Sequence, residues 1–267
     1  MKKIVIKIGT NVLAHETGEL NHDVINNIVL QVIRLMKQQT KVVLVTSGAM
    51  GAGREILKGI EYDSEIEKRQ VLASVGQSYL MSVYNEAFSK HGMKAAQILL
   101  TRKDFSNNEH QYTVKGCIDS LWKHNIIPII NENDATSIEE LMFTDNDQLS
   151  SLVSYLIDAD QLCILTNVDG VYDRHPDDKQ ATLISSIHVE QTVEQYIDSR
   201  KSDFGRGGML TKVLNAQKLA RFGVNVCIMN GKTNDLEKFI NGSQVGTTVF
   251  SETDDNIKVL LNETYEK

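Results

Sequence analysis

The sequence contains few cysteines, prolines and tryptophans, and the scarcity of cysteine disfavours a fold held together by disulfides or by a bound metal. It contains three cysteines, two prolines and one tryptophan in 267 residues. Cys117, Cys163 and Cys227 lie far apart, and no Cys-x-x-Cys pair or Cys/His spacing typical of a metal site occurs. We therefore expect isolated thiols in a reducing compartment and predict no metal site built by the protein.

Long apolar runs and an excess of positive charge are absent as well. No apolar stretch approaches the roughly twenty residues of a membrane span, and Lys7 interrupts the run that begins at Ile4, long before a secretory signal would be complete. The net charge of −7 disfavours a nucleic-acid surface, which would be basic. A cytoplasmic protein with neither a membrane nor a nucleic acid as partner is expected.

What the chain does contain is an alternation of short apolar runs with longer amphipathic stretches. The runs are rich in Val, Ile and Leu without polar alternation, which is typical of strands buried on both faces of a parallel sheet. The predicted strands are 4–8, 41–46, 95–100, 126–131, 162–168 and 225–230, with closing strands at 247–250 and 258–261. The predicted helices are about 22–39, 66–91, 108–125, 146–158 and 208–222. This order predicts a three-layer α/β/α sandwich around a mainly parallel sheet.

The chain has no linker-like segment, so it is predicted to form a single domain over residues 1–267. Pro128 lies inside a predicted strand and lacks an N–H group for the ladder. The sequence therefore places that strand at an edge of the sheet, or its start at the proline.

Polar clusters follow four of the predicted strands, at 9–11, 47–49, 131–134 and 167–172. Parallel strands bind ligands beyond their carboxyl ends, so these clusters are expected along one edge of the sheet. The acidic group at 145–147 opens a predicted helix. A helix cap at Asp145 or Asp147 is one interpretation, although capping explains less well why so many amides and carboxylates gather here.

The stretch 205–212 combines three glycines, Thr211 and Lys212 at the start of a predicted helix. Glycines allow close approach of backbone N–H groups, and a helix N-terminus carries partial positive charge, so together they favour a phosphate. The order matches neither a P-loop nor a dinucleotide fingerprint. It indicates a phosphate loop of another kind, whereas a merely solvated Lys212 would leave the glycines unexplained.

Each of three other features of the sequence has two interpretations. Lys7 is either a lysine of an edge strand with its ammonium in water, or a charge that faces a ligand at the carboxyl end of its strand. The small residues at 46–53 form a tight turn or admit a ligand or another backbone. Asp169-Gly170 is a hairpin turn, or a turn beneath a nucleotide.

Six segments, spread over nearly the whole chain, resemble the amino acid kinase family and within it the group of glutamate 5-kinases. They are 5–10, 45–49, 73–77, 129–134, 145–147 and 207–212. The resemblance implies transfer of the ATP γ-phosphoryl group to the side-chain carboxylate of L-glutamate, the first step of proline biosynthesis. N-acetylglutamate or carbamate kinase activity, or a non-catalytic nucleotide or amino-acid sensor, are the alternatives.

The resemblance also implies roles for individual residues. Lys7 and Lys212 would contact the phosphoryl group, and Asp147 would orient them. The residues expected to hold glutamate are Ser47, Asn131, Asp134 and Asn146. The residues expected to hold ATP are Lys7, Thr166, Asn167, Arg206, Gly207, Gly208, Met209, Leu210, Thr211 and Lys212. The lobe at about 1–160 would bind the amino acid, and the lobe at about 161–267 would bind ATP with Mg²⁺ carried on its phosphates.

Further expectations follow from the same resemblance. Proline would act as feedback inhibitor through the loop around 132–144, and the protein would be a homo-oligomer, either a dimer or a tetramer. Many glutamate 5-kinases carry a C-terminal domain of the RNA-binding PUA type, which this chain is expected to lack. Asn167 stands where an aspartate is common, and Arg206 stands where a small or hydroxyl residue is usual.

Overall fold

The first apolar run of the chain forms a central strand of the sheet. In the computed structural model, which describes residues 1–15, 17–136, 145–193 and 208–250, strand β1 (Lys3–Ile8) lies between β2 (Lys41–Thr46) and β5 (Gln161–Thr166) and runs parallel to both. Its residues are almost wholly buried, as expected of a strand covered on both faces.

Eight strands make up the main sheet in the order β3-β4-β2-β1-β5-β9-β10-β8. The remaining strands are β3 (Lys94–Leu100), β4 (Ile126–Glu132), β6 (Val171–Tyr172), β7 (Leu183–Ile184), β8 (Ser186–Ile187), β9 (Asn225–Asn230) and β10 (Thr247–Val249). All pairings in this sheet are parallel except that of β10 with β9. Strands β6 and β7 form a separate antiparallel pair.

Helices cover both faces of the sheet. They are α1 (Thr10–Leu13), α2 (His22–Lys37), α3 (Ala49–Ile56), α4 (Glu65–Ser89), α5 (Asn108–Lys123), α6 (Asn146–Leu156), α7 (Met209–Ala220) and α8 (Leu236–Ile240), with a 3₁₀ turn at Arg102–Phe105. None of the helices in the described ranges is long and apolar enough to span a membrane.

Side chains along β1 alternate between the two faces of the sheet, and each face contributes to a different layer of the core. Ile4, Ile6 and Ile8 pack into one apolar cluster with α2, α4 and α8, whereas Val5 packs into a second cluster with α5, α6 and α7. Because Lys7 has the same parity as Val5, its side chain leaves the sheet on the side of α6 and α7. The three-layer α/β/α sandwich is confirmed.

Six predicted strands and five predicted helices are confirmed with ends within two residues, and the closing strand predicted at 247–250 is found as β10. The strand predicted at 258–261 lies outside the described residues. Helix α3 was missed, since its sequence contains Gly51 and Gly53 and has low intrinsic helix propensity.

The prediction that Pro128 marks an edge strand is wrong. Strand β4 lies between β3 and β2, and its ladder with β2 begins only at Ile129, one residue past the proline. The nearby carbonyl of Val42 on β2 accepts a hydrogen bond from Trp122 Nε1 at 2.9 Å. Strand β4 begins at Ile126, and its ladder with β3 includes Pro128 opposite Ala96. The proline is tolerated at this interior position because the ladder with β2 starts only after it and a side chain satisfies the neighbouring carbonyl.

Candidate active site

A buried aspartate joins the two lysines singled out in the sequence. Asp147 Oδ1 lies 2.7 Å from Lys7 Nζ, and Asp147 Oδ2 lies 2.8 Å from Lys212 Nζ. The Asp147 side chain is 0 % exposed, while the lysine side chains are 6 % and 15 % exposed. The three groups come from β1, α6 and α7, and they meet at the carboxyl end of β1. The edge-strand interpretation of Lys7 is therefore wrong.

Electrostatics keep Asp147 ionised. Burial by itself would raise the pKa of Asp147, but the ammonium groups of Lys7 and Lys212 outweigh burial and lower it to about 2. The carboxylate is thus negative throughout the neutral range, and it holds two positive charges in a site that is largely closed to water.

Asp145 caps helix α6, and Asp147 on the first turn of that helix contacts the lysines. Asp145 Oδ1 accepts hydrogen bonds from the backbone N–H groups of Asp147 and Gln148 at 3.0 and 3.1 Å. Asp145 Oδ2 is buried without a hydrogen-bond partner. Burial, together with the negative charge of Asp147, raises the pKa of Asp145. The cap interpretation holds for Asp145, whereas Asp147 is free to bind the lysines.

Three of the expected glutamate-binding residues are joined by one side-chain amide. Asn146 Nδ2 lies 2.9 Å from Asn131 Oδ1, 3.0 Å from Ser47 Oγ and 2.7 Å from the carbonyl oxygen of Thr46. Asn146 Oδ1 is buried and has no partner. Thr46 Oγ1 in turn lies 2.9 Å from the hydroxyl of the fully buried Tyr84. The ends of β2 and β4 are thereby joined to the start of α6.

The fourth expected residue, Asp134, is bound by an arginine that the sequence analysis did not identify. Both Nε and Nη2 of Arg69 donate to Asp134 Oδ1, the Nε contact measuring 3.1 Å. Both side chains are mostly buried. Arg69 lies in α4, far from Asp134 in the chain, and no local pattern marks it.

The glycine-rich turn after β2 accommodates another backbone. Gly48 adopts φ 99° at the start of α3, a conformation that favours glycine. Helices α3 and α4 cross so closely that a Cβ atom on Gly76 would lie 1.8 Å from the carbonyl oxygen of Ala49, and one on Gly53 would lie 2.1 Å from that of Leu72. The structure thus shows both a tight turn at Gly48 and the close approach of another backbone to the small residues of 46–53.

The described part of the segment 206–212, which is expected to hold ATP, lies at the start of α7. Gly208 precedes the helix with extended φ and ψ and, as its N-cap residue, has no side chain to accept from the first N–H groups. A helix N-terminus of this kind favours an anion. Met209, Leu210, Thr211 and Lys212 form the first turn and are partly buried. Arg206 and Gly207 lie outside the described residues.

The other expected ATP contacts follow β5. Thr166 is buried and its Oγ1 donates to Oδ1 of the exposed Asn167 at 3.3 Å. The Asp169-Gly170 turn leads from β5 into β6, which leaves the main sheet and pairs with β7. It is therefore not a hairpin turn between β5 and β6.

This arrangement of a parallel sheet, a lysine from its first strand and a second lysine at a helix start agrees with a family of phosphotransferases. The model of the amino acid kinase family matches residues 2–230. The chain belongs to the amino acid kinase family.

The similarity to curated proteins points to one group within this family. A glutamate 5-kinase of Chlorobaculum tepidum is 42 % identical over 248 residues, which are 92 % of this chain and 68 % of the relative. A glutamate 5-kinase of Bacteroides thetaiotaomicron is 39 % identical over 88 % of this chain and 65 % of the relative. The chain thus spans about two thirds of the length of these relatives.

Solved structures agree on the fold. Carbamate kinase from Giardia lamblia superposes with a TM-score of 0.68 at 17 % identity, covering 94 % of this chain and 99 % of that one. UMP kinase from Bacillus anthracis gives a TM-score of 0.63 at 16 % identity, covering 94 % and 97 %. At these identities the likeness establishes the fold alone.

Proposed function

We propose that the protein transfers the γ-phosphoryl group of ATP to the side-chain carboxylate of L-glutamate, giving L-glutamyl 5-phosphate. The observation that carries the proposal is the buried cluster of Lys7, Asp147 and Lys212, which come from β1, α6 and the first turn of α7. The names of the curated relatives supply the acceptor. The reaction would provide the first step of proline biosynthesis.

The chemistry needs positive charge more than it needs a base. A carboxylate is already ionised at neutral pH, so no proton has to be removed from the acceptor. The difficulty lies in bringing one anion onto another while charge spreads over the transferring oxygens. Two ammonium groups fixed by one buried carboxylate offer pre-organised stabilisation of that charge.

Asp147 acts in this proposal by holding its partners. Each carboxylate oxygen lies within ion-pair distance of one lysine, which fixes the direction of both ammonium groups. Proper alignment of reactants can lower the activation barrier by about 7–11 kcal/mol. A phosphoryl group between Lys7 and Lys212 would gain from this alignment.

The acceptor would bind among the strand-end residues Ser47, Asn131, Asp134 and Asn146. The unpartnered, buried Oδ1 of Asn146 is an acceptor that a ligand donor would satisfy. Asp134 would attract the α-ammonium group of free glutamate while sharing its carboxylate with Arg69. N-acetylglutamate has no such charge, so it would bind less well.

ATP would bind through Lys7, Thr166, Asn167 and the segment from Arg206 to Lys212, with its phosphates at the start of α7. Among the described residues no three acidic, histidine or cysteine side chains converge, and both oxygens of Asp147 are occupied by lysines. Mg²⁺ would therefore be held chiefly by the phosphates of ATP, whose charge it neutralises.

The remaining proposals concern the two lobes, the cellular location, the oligomeric state and the inhibition of the protein. The lobe at about 1–160 would bind the amino acid and the lobe at about 161–267 would bind ATP. We further propose a cytoplasmic homo-oligomer, either dimer or tetramer, that proline inhibits through the loop at 132–144. Positions 137–144 of that loop lie outside the described residues.

The decisive experiment measures ATP consumption with glutamate, N-acetylglutamate, aspartate, carbamate and UMP as separate acceptors. Turnover that depends on glutamate and exceeds that with the other acceptors is expected. Preference for N-acetylglutamate or carbamate would replace the proposed acceptor. Binding of ATP and glutamate without turnover would identify a sensor instead. A titration with proline in the same assay tests the inhibition.

A further inference from the structure

Four side-chain amides form a continuous chain that ends at the candidate active site. Gln77 Nε2 donates to Gln97 Oε1, Asn131 Nδ2 donates to Gln77 Oε1, and Asn146 Nδ2 donates to Asn131 Oδ1, each at 2.9 Å. The chain runs from strand β3 through helix α4 and strand β4 to helix α6. Gln77 and Asn131 are its two buried inner members, and Gln77 is not among the residues expected to bind glutamate or ATP.

Backbone groups at two places determine the direction of these hydrogen bonds. The N–H of Glu132 donates to Asn131 Oδ1 at 2.9 Å, and the carbonyl oxygen of Thr46 accepts from Asn146 Nδ2 at 2.7 Å. A peptide N–H can only donate and a peptide carbonyl can only accept. Asn131 must therefore present Nδ2 to Gln77, and Asn146 must keep Oδ1 away from these protein contacts.

Gln77 is the group that satisfies the second half of the Asn131 amide. Because Asn131 is buried, its Nδ2 would lack an acceptor without Gln77, and a buried unsatisfied donor is unfavourable. Asn131 would then rotate towards another acceptor and release Asn146 Nδ2. The close crossing of α4 with α3 at Gly76 holds the adjacent Gln77 at its level above the sheet.

We propose that Gln77 is a positioning residue for glutamate, acting through Asn131 to hold Asn146 with its Oδ1 free for the substrate. The inference rests on the proposed function of the site. Gln77 would not itself touch the substrate. Its loss should therefore weaken glutamate binding and leave ATP binding and the phosphoryl-transfer lysines in place.

The test compares Gln77→Met with Gln77→Glu. Methionine has similar length but offers Asn131 no oxygen acceptor, so the KM for glutamate should rise about tenfold. Glutamate at position 77 retains an acceptor for Asn131 Nδ2, and the Gln97 amide can turn to donate to it, so the KM should stay within about threefold of wild type. The KM for ATP, and kcat at saturating glutamate, should change less than about threefold in both variants.

Gln31→Met is the matched control. Gln31 is an equally buried glutamine on α2 whose Oε1 accepts from the backbone N–H of Leu236, and it has no contact with the amide chain. Its substitution should lower the unfolding temperature without changing the KM for glutamate. The comparison separates loss of positioning from general loss of stability.

Each outcome decides a definite point. Wild-type enzyme without glutamate-dependent turnover overturns the proposed function, and the comparison is then made with the acceptor that is used. An active wild type combined with an unchanged glutamate KM in Gln77→Met overturns the positioning role. Equal KM increases in Gln77→Met and Gln77→Glu also overturn it. If Gln77→Met does not fold, Gln97→Ala replaces it in the comparison, because it removes the hydrogen-bond acceptor of Gln77. An unchanged KM for glutamate in Gln97→Ala, together with a raised KM for glutamate in Gln77→Glu, would contradict the role of the amide chain.

Discussion

Substitution of Asp147 by asparagine tests the central electrostatic argument. The change keeps the size of the side chain and removes its charge, so no cavity forms. One lysine then meets an amide oxygen and the other meets an amide N–H₂ group, which repels an ammonium. The structure therefore predicts a loss of both stability and activity, with little change in packing.

The magnitude follows from the pKa of Asp147. The two lysines lower it from the ordinary value of 3.8 to about 2, which corresponds to about 2 kcal/mol of stability. Because the folded-state pKa is the lower one, this stability is present above about pH 4 and is lost as the pH falls towards 2. Asp147→Asn should thus lower the free energy of unfolding at pH 7 by at least about 2 kcal/mol.

Urea unfolding measures the stability, and initial rates at saturating ATP and glutamate measure the activity. The difference in unfolding free energy between wild type and variant should be constant from pH 5 to 8 and shrink below about pH 4. The kcat should fall about a hundredfold, because the lysines lose their alignment. Asp158→Asn is the control, since that exposed carboxylate binds Lys115 at the surface and such pairs contribute little.

Two results would refute the reasoning. Equal stability of wild type and Asp147→Asn at pH 7 would mean that the buried pairs contribute nothing net. A stability difference that declines between pH 5 and 8 would mean that the charge of Asp147 is not fixed by its two lysines.

Three further predictions concern the site and its support. Lys212→Ala should lower kcat about 10²–10³-fold in steady-state assays with little effect on the KM for glutamate; retained turnover would contradict its phosphate role. Asp134→Asn should raise the KM for glutamate at least several-fold, because it weakens the proposed ammonium contact and loosens Arg69, and an unchanged KM would count against that contact. Gly76→Ala should destabilise the protein to urea by more than about 2 kcal/mol, because its Cβ would overlap the backbone of α3. Gly116→Ala, in α5 with open space around its Cβ, should be neutral or slightly stabilising, and similar effects of the two glycine substitutions would contradict the close crossing.

Local patterns identified most of the fold because the central strands consist mainly of apolar runs without polar alternation, and the helices between them are amphipathic. Six strands and five helices follow from that periodicity, and the segments that resemble the family brought Lys7, Asp147 and Lys212 together as candidates. Helix α3 was missed because its glycines disfavour a helix locally, and only its contact with α4 makes the helix favourable. Pro128 misled for a similar reason, since Trp122 satisfies the nearby carbonyl of Val42, which lies 80 positions away from Trp122 in the chain.

The sequence by itself determined the layered sheet, the edge at which polar residues gather and the identity of the two lysines, because periodicity and strand polarity are local properties of the chain. Only the tertiary structure decided which oxygen of Asp147 binds which lysine, that Arg69 occupies Asp134, and that Gln77 supports Asn131. Those contacts join residues 54 to 140 positions apart, and they depend on crossings and registers that no local pattern specifies.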